Sequence, residues 1–513
     1  MTTKLLLVGA CLVLMTISAA NAAVPKATCR GGSADKPETA LQGQVTRAER
    51  ESGASKAAAY TCNTNLVGQY QGEGASWQLT AWKNCAYYDQ RNSPDLQHPG
   101  VVVVDVSDPK NPKPSAYLSE AAMVDPWESL KVNAQRQLLA GAQLNGPGFA
   151  VYDVSADCRH PVLKASVNLS GSFGHTGDFA PDGMTYYITP VRTTPSIIAV
   201  DITNVAAPSE ILIWTAPAPQ NPRFHDLTIS KDGNRAYVAN SGGPATGFDN
   251  GLLILDISDI QKRASNPQIR IVSSVSWQDG GAAQNALPVR IGGKPYLIFT
   301  DELSNARSGV GTWAQACSKG LPPFGFARIF DISDDTNPQV VSKLMLEVHE
   351  PSNCATILAD PADTPNTNLF GYSTHYCNVD DADDAKVLAC SYFNAGWRFF
   401  DIKDPAKPKE IGYYKPPGRG TQALPGSQYF GTAGPTFDRP VDWASSKPSF
   451  PKDRGMSSGD VWVTTQDNGF MVLRLNQGGG GGCSSAGLPS GLLAAFAATA
   501  LLRRKLRKRA PRS

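Results

Sequence analysis

Between Val101 and Gln477 the chain returns again and again to one phrase: an apolar run, an aspartate, Ile or Val, then a turn. It reads VVVVDVSD at Val101–Asp108, FAVYDVSAD at Phe149–Asp157, IIAVDITN at Ile197–Asn204 and LLILDISD at Leu252–Asp259. It continues as ARIFDISD at Ala327–Asp334, WRFFDIKD at Trp397–Asp404 and a degenerate FMVLRLNQ at Phe470–Gln477. Short apolar runs bounded by turn residues predict strands. Shorter alternating stretches flank each run. Around His225 they predict a strand HDLTIS, a hairpin turn KDGN, a second strand RAYVAN, a third GLLILDI and a fourth QIRIVSSV. Gly, Asp and Asn at the turns supply the backbone angles that tight hairpins need. No long amphipathic helical pattern interrupts Trp77–Leu475.

The marker residues Asp105, Asp153, Asp201, Asp256, Asp331, Asp401 and Arg474 are spaced 48, 48, 55, 75, 70 and 73 apart. A period near 48, stretched by insertions, fits four short antiparallel strands per repeat. The fold class predicted is therefore all-β, a seven-bladed β-propeller. The seventh copy has no fourth strand after it, because a glycine run follows. NLVGQYQ at Asn65–Gln71 has the character of a fourth strand, so an N-terminal strand is predicted to complete the last blade and remove the open edge.

Repeats of the LLILDIS type, preceded by CNTNLVGQYQGEG, resemble the LVIVD-repeat proteins over about 400 residues. The resemblance implies an exported bacterial propeller and names no reaction. The ends agree with export. Residues 1–22 carry Lys4, the apolar core LLLVGACLVLM and the small-x-small sequence Ala20-Asn21-Ala22, the pattern of a cleaved signal peptide. Residues 23–61 are polar and alanine-rich, with loose or partly helical order expected, and the propeller is assigned to 62–477. A glycine linker at 478–482 leads to the tail 483–513, with Cys483, the short apolar LPSGLLAAFAATALL and the basic RRKLRKRAPRS. This tail resembles the MYXO-CTERM type of sorting signal. That implies cleavage near Cys483 and surface attachment, the membrane being reached only through the tail. An ordinary tail anchor is the alternative.

Charge follows the same division. The chain has 47 basic and 45 acidic residues, but Lys4 and seven basic residues after Cys483 belong to the ends, leaving 39 basic against 45 acidic. A net negative body gives no footprint for nucleic acid. Ten cysteines become eight without Cys11 and Cys483, an even number suited to disulfides outside the cytoplasm. Cys62 with Cys85 would lock the seam of the ring. Cys377 and Cys390 lie symmetrically about a hairpin turn, with Cys354–Cys377 as an alternative pairing. Cys29, Cys158 and Cys317 remain unassigned.

Candidate chemistry concentrates where the first strands of the repeats begin. Glu128, His175, His225 and His375 lie 25, 26, 31 and 26 residues before their marker aspartates, and Asn285 and Trp77 begin equivalent strands. All six are predicted to converge on one mouth of the central channel, with His349 and Glu350 close enough to join. The long connections Ser241–Asn250, Glu302–Gly325 and Pro416–Gly459 share that face, the usual seat of binding. Three neutral imidazoles, His175, His225 and His375, with a carboxylate could hold a divalent metal such as copper, zinc or iron. The plainer alternative is that they hydrogen-bond backbone and water. His225 and Asp226 cannot form a dyad, because adjacent strand residues point to opposite faces. No GxSxG elbow marks a hydrolase. The acidic run Asp380–Asp384 falls on a hairpin turn and lacks the EF-hand pattern, and the marker aspartates are expected to cap turns. The sequence therefore predicts a surface binding module for a protein or small-molecule ligand. The alternative is a metal-dependent oxidoreductase.

Overall fold

The computed structural model describes residues 22–30, 35–90, 96–170, 174–190, 196–217, 223–241, 250–303, 313–360, 370–418, 446–450 and 459–476. The predicted signal peptide up to Asn21, the glycine linker, Cys483 and the predicted sorting tail lie outside these residues, as do most of the long connections. Among the described residues no helix is long and apolar enough to cross a membrane.

Seven antiparallel sheets follow one another along the chain. In the fourth, Phe224–Ile229, Arg235–Asn240, Asn250–Asp256 and Arg270–Trp277 pair in chain order, close to the strands read from the sequence. The seventh blade pairs Asp460–Thr465 with Gly469–Leu475, and the latter with Thr64–Tyr70 from the N-terminal side. An antiparallel bridge between Ser449 and Trp462 adds to its inner edge. The predicted closing strand is thus present, one residue from its expected start.

Strand alternation explains why the sheets form a ring. In the first blade Tyr87, Val101 and Val103 pack on Leu139, Ala150 and Tyr152 of the second. Their neighbours Ala86, Tyr88, Val102 and Val104 face the other way, onto Trp462, Phe470 and Val472 of the seventh. Each successive pair of blades encloses such a cluster, the seventh and first included. Both faces of each third strand are therefore buried, which is why those strands read as unbroken apolar runs.

The marker aspartates cap turns. Oδ1 of Asp105, Asp153, Asp201, Asp256, Asp331 and Asp401 accepts the backbone N–H two residues on, at 2.8–3.1 Å. In the degenerate seventh copy Arg474 instead pairs with Asp460 on the adjacent strand, at 2.6 and 3.0 Å. The acidic run is also a turn: Asp380 accepts the N–H groups of Asp381, Lys386 and Val387.

The segment 23–61 departs from its expected looseness, although it does contain the short helices Arg47–Glu51 and Ala54–Ala57. Tyr60–Cys62 adds a fifth strand to the sixth blade, on Lys409–Lys415. Val24 is buried between the fifth and sixth blades. Buried charge holds the segment in place. Arg398 bonds Glu410 at 2.9 Å and Glu38 at 3.1 Å, and Lys415 reaches Glu38 at 2.9 Å. Alanine and polar composition hid these anchors, because each anchor's partner lies some 360 residues away.

Four disulfides join Cys29–Cys62, Cys85–Cys158, Cys317–Cys354 and Cys377–Cys390. The cross-hairpin pair is as predicted. The pairing Cys62–Cys85 is not formed, and neither is Cys354–Cys377. Cys62 sits on the strand added to the sixth blade, whereas Cys85 faces the second blade from the first. No disulfide crosses the seam, which is held by strand pairing and by the apolar cluster between the seventh and first blades.

Candidate functional site

The inner strands place their first residues around the ring axis, and four side chains predicted to converge there do so. Glu128 precedes the second blade, and its N–H bonds the carbonyl of His175 at 3.1 Å, fixing two neighbouring blades to each other. His225 opens the fourth blade. Its carbonyl accepts the hydroxyls of Thr176 at 2.7 Å and Thr189 at 2.8 Å, both on the third. His375 opens the sixth blade, its ring 5.5 Å from Trp77 and 5.0 Å from Phe393.

The polar atoms meet at Glu128. Its Oε2 lies 3.2 Å from His175 Nε2 and 3.9 Å from His225 Nε2, and those two nitrogens are 3.1 Å apart. Its other oxygen, Oε1, takes His375 Nε2 at 2.7 Å and the Gln284 amide at 3.1 Å. Glu302, at the end of a fifth-blade strand, stands 3.5 Å from His225 Nε2 and 3.7 Å from His375 Nε2. The group is buried: the side chains of Glu128 and His375 are 3% and 1% exposed, that of His175 12%.

The convergence is selective. His375 contacts the far oxygen of Glu128, so the compact set is Glu128, His175 and His225, whose donor atoms lie within 4.8 Å of one another. Asn285 does not face the imidazoles. It donates to Asp226 at 2.9 Å, and its neighbour Gln284 occupies the expected place. Asn285 is one residue late: Gln284 takes the place that His225 and His375 hold in the fourth and sixth blades, and Asn285 joins Asp226 and Tyr376 behind them. Trp77 stands beside His375 within an aromatic group that includes Trp127, 5.1 Å from it, rather than among the donor atoms. His349 and Glu350 lie elsewhere. His349 Nδ1 accepts the Leu346 N–H at 2.9 Å and its Nε2 bonds the Tyr372 carbonyl at 3.0 Å, a satisfied core histidine. Asp226 turns away from His225, accepting from Asn285 and from the Tyr376 hydroxyl at 3.0 Å.

Sequence reading missed Glu302 and Gln284. Glu302 ends a second strand rather than beginning a first, so the strand-start alignment passes over it. A backbone signal accompanies both carboxylates: Trp127, just before Glu128, has φ +50°, and Leu303, just after Glu302, has φ +61°. Left-handed backbone at bulky residues is unfavourable and tends to collect where a site demands it.

Electrostatics divide the roles. Burial pushes the Glu128 carboxyl upward, but the imidazoles of His175, His375 and His225 overcome this and hold it well below the usual carboxylate range. Burial, reinforced by His175, lowers His225 to about 3, so it is neutral near pH 7 with a lone pair to offer. Glu128 Oε2 is buried without a hydrogen-bond partner of good geometry, as are Nδ1 of His175 and of His225. Two imidazole nitrogens and one carboxylate oxygen at these separations approximate the roughly 3.3 Å ligand-to-ligand edge of a four-coordinate ion with bonds of about 2.0 Å. The set can hold a divalent ion with little movement, leaving Glu302 beside the remaining coordination positions.

No family model matches the chain, and no curated protein does. Solved structures similar in fold include a protein from Lactobacillus plantarum, at 14% identity and TM-score 0.43, over 66% of this chain and 87% of that one. Kuenenia stuttgartiensis hydrazine synthase aligns at 13% identity and TM-score 0.46, over 80% and 96%. The Cps50 (Swd1) β-propeller domain of Myceliophteria thermophila aligns at 12% and 0.46, over 80% and 98%. The propeller assignment rests on the strand order and blade packing described above.

Proposed function

We propose that this chain is an exported, surface-attached propeller that acts as a binding module. Its ligand site is the axial mouth, where Glu128, His175 and His225 hold a divalent ion of the zinc or iron(II) type. The observation that carries the reading is Glu128 Oε2, buried without a hydrogen bond of good geometry 3.2 and 3.9 Å from two imidazole nitrogens. Buried polar atoms are seldom left without partners, and an ion would satisfy this one together with both nitrogens. Two imidazoles and a carboxylate without thiolate suit zinc or iron(II). His375 and Gln284 orient the carboxylate from behind. An ion here would supply a Lewis-acidic centre for a donor group of an incoming ligand. The same donor set serves hydrolytic and redox centres, so the reading stops at binding. Export is supported by the signal-type leader and the four disulfides, and attachment by the tripartite tail.

The test is elemental analysis of protein purified without a histidine tag, then reloaded with zinc, iron(II), copper or manganese under anaerobic conditions. One tightly held ion per chain is expected, lost in His225→Ala while the blades stay folded by circular dichroism. No stoichiometric ion with any of the four metals would overturn the proposal.

A further inference from the structure

The first residue after the leader sequence is already seated in the fold. Ala22 is exposed, Ala23 half-buried and Val24 buried between the fifth and sixth blades. The Ala23 nitrogen donates to Glu350 Oε1 at 2.7 Å, and Val24 N–H bonds the Met345 carbonyl at 2.8 Å. Beyond them Lys26 pairs with Glu347 at 2.7 Å, Pro25 accepts the Glu410 N–H at 3.1 Å, and Ala27 N–H donates to Glu410 Oε2 at 3.1 Å. Cys29 then ties the segment to Cys62. Five successive residues ahead of the disulfide, Ala23 to Ala27, are thus stitched to positions more than 300 residues away in sequence.

We infer that Glu350 is the docking site for the mature α-ammonium group, so that removal of the leader after Ala22 completes the fold. The inference rests on the signal-peptide part of the proposed function. Hydrolysis of the Ala22–Ala23 peptide bond by water leaves a carboxylate on Ala22 and an amine on Ala23, protonated near neutral pH. The single amide N–H facing Glu350 thereby becomes a cation with three donors. A hydrogen bond between neutral and charged groups turns into an ion pair at unchanged geometry. Glu350 is ready for it: its other oxygen, Oε2, is held by the Asn353 side-chain amide at 3.2 Å, which leaves Oε1 for the chain end. The exposed Ala22 marks the point where a preceding chain can leave without displacing Val24.

Docking and processing can be tested apart. Intact mass of the secreted protein reports whether the chain begins at Ala23, and another start would refute the leader assignment alone. Docking is measured on two recombinant chains freed from a cleavable fusion, one starting at Ala23 and one extended by Gly-Ser. The probe is the rate of α-amine acylation near pH 7, followed by peptide mass spectrometry. The Ala23 amine is expected to react about tenfold more slowly than the extended one, a protection set by local opening. Glu350→Gln should remove that protection from the Ala23 chain and leave the extended chain unchanged. Equal rates in the two chains, or a rate insensitive to Glu350→Gln, would overturn the inference.

Discussion

His175 Nε2 and His225 Nε2 face each other at 3.1 Å across the end of the channel, with one oxygen of Glu128 within 4 Å of both. Neither imidazole has its Nδ1 held by a protein group, whereas both ring nitrogens of His349 are bonded. His375 differs, since of the two Glu128 oxygens it meets the outer one, and its Nε2 also meets the Gln284 amide at 2.9 Å. Replacing His175 or His225 by Ala should abolish ion binding. His375→Gln, which disturbs only the orientation of the carboxylate, should weaken it by about 10–100-fold. Competition with a chromophoric chelator would measure the difference. Equal losses at all three histidines would contradict the division.

His349 predicts a pH dependence. Burial depresses it to about 4, opposed in part by its bond to the Tyr372 carbonyl. An unfolded histidine titrates near 6.5. Between those values the unfolded chain binds the proton and the native one does not, so this contribution is whole above about pH 6.5 and is lost as pH falls towards 4. The loss amounts to about 3 kcal/mol at the acid end of the window. Gln can accept and donate in the same places, so His349→Gln should flatten the fall in urea midpoint between pH 6.5 and 4.5. An unchanged slope would assign the acid lability to other groups.

The blades were legible because their strands are buried on both faces, which leaves an apolar run at every repeat, and because a carboxylate must cap the turn after it. The site was legible only through that repeat. Counting back from the marker aspartates located Glu128, His175, His225 and His375, but in the fifth blade, where insertions lengthen the repeat, it fell one residue late, on Asn285 and not Gln284. It also passed over Glu302, whose place depends on how the fifth blade's second strand ends. Cys62 was misassigned for a related reason: Tyr60–Cys62 and Thr64–Tyr70 are adjacent in sequence yet join different blades. A one-residue break between two strands carries no sign of that divergence.

The N-terminal segment depends on buried charge. Glu38 is held well enough by Arg398 and Lys415 that its carboxyl is lowered despite the opposing effect of burial. Removing one member of such a cluster leaves its partners buried and uncompensated. Glu38→Ala should therefore cost about 3–5 kcal/mol, with segment 35–62 becoming sensitive to limited proteolysis before the blades unfold. If Glu38→Ala left proteolysis of the segment unchanged, the charge cluster would not be what holds it.

Closure of the ring turns on a glycine. Gly469 begins the strand that receives Thr64–Tyr70, its φ is +65°, and a Cβ there would lie 2.1 Å from the carbonyl oxygen of Gln71. Gly469→Ala therefore combines an unfavourable left-handed residue with a collision against backbone of the closing strand. Gly293 separates the two effects, since its φ is +79° but nothing lies within 4 Å of its Cβ position. Gly293→Ala should cost about 1 kcal/mol, the left-handed penalty alone. Gly469→Ala should cost about 3 kcal/mol, the excess coming from displacement of the closing strand. Denaturation midpoints of the two variants give the comparison, and hydrogen exchange at Thr64–Tyr70 locates the damage. Faster exchange there in Gly469→Ala, with Gly293→Ala unaffected, is the expected pattern; equal midpoints would mean that the seam yields without cost.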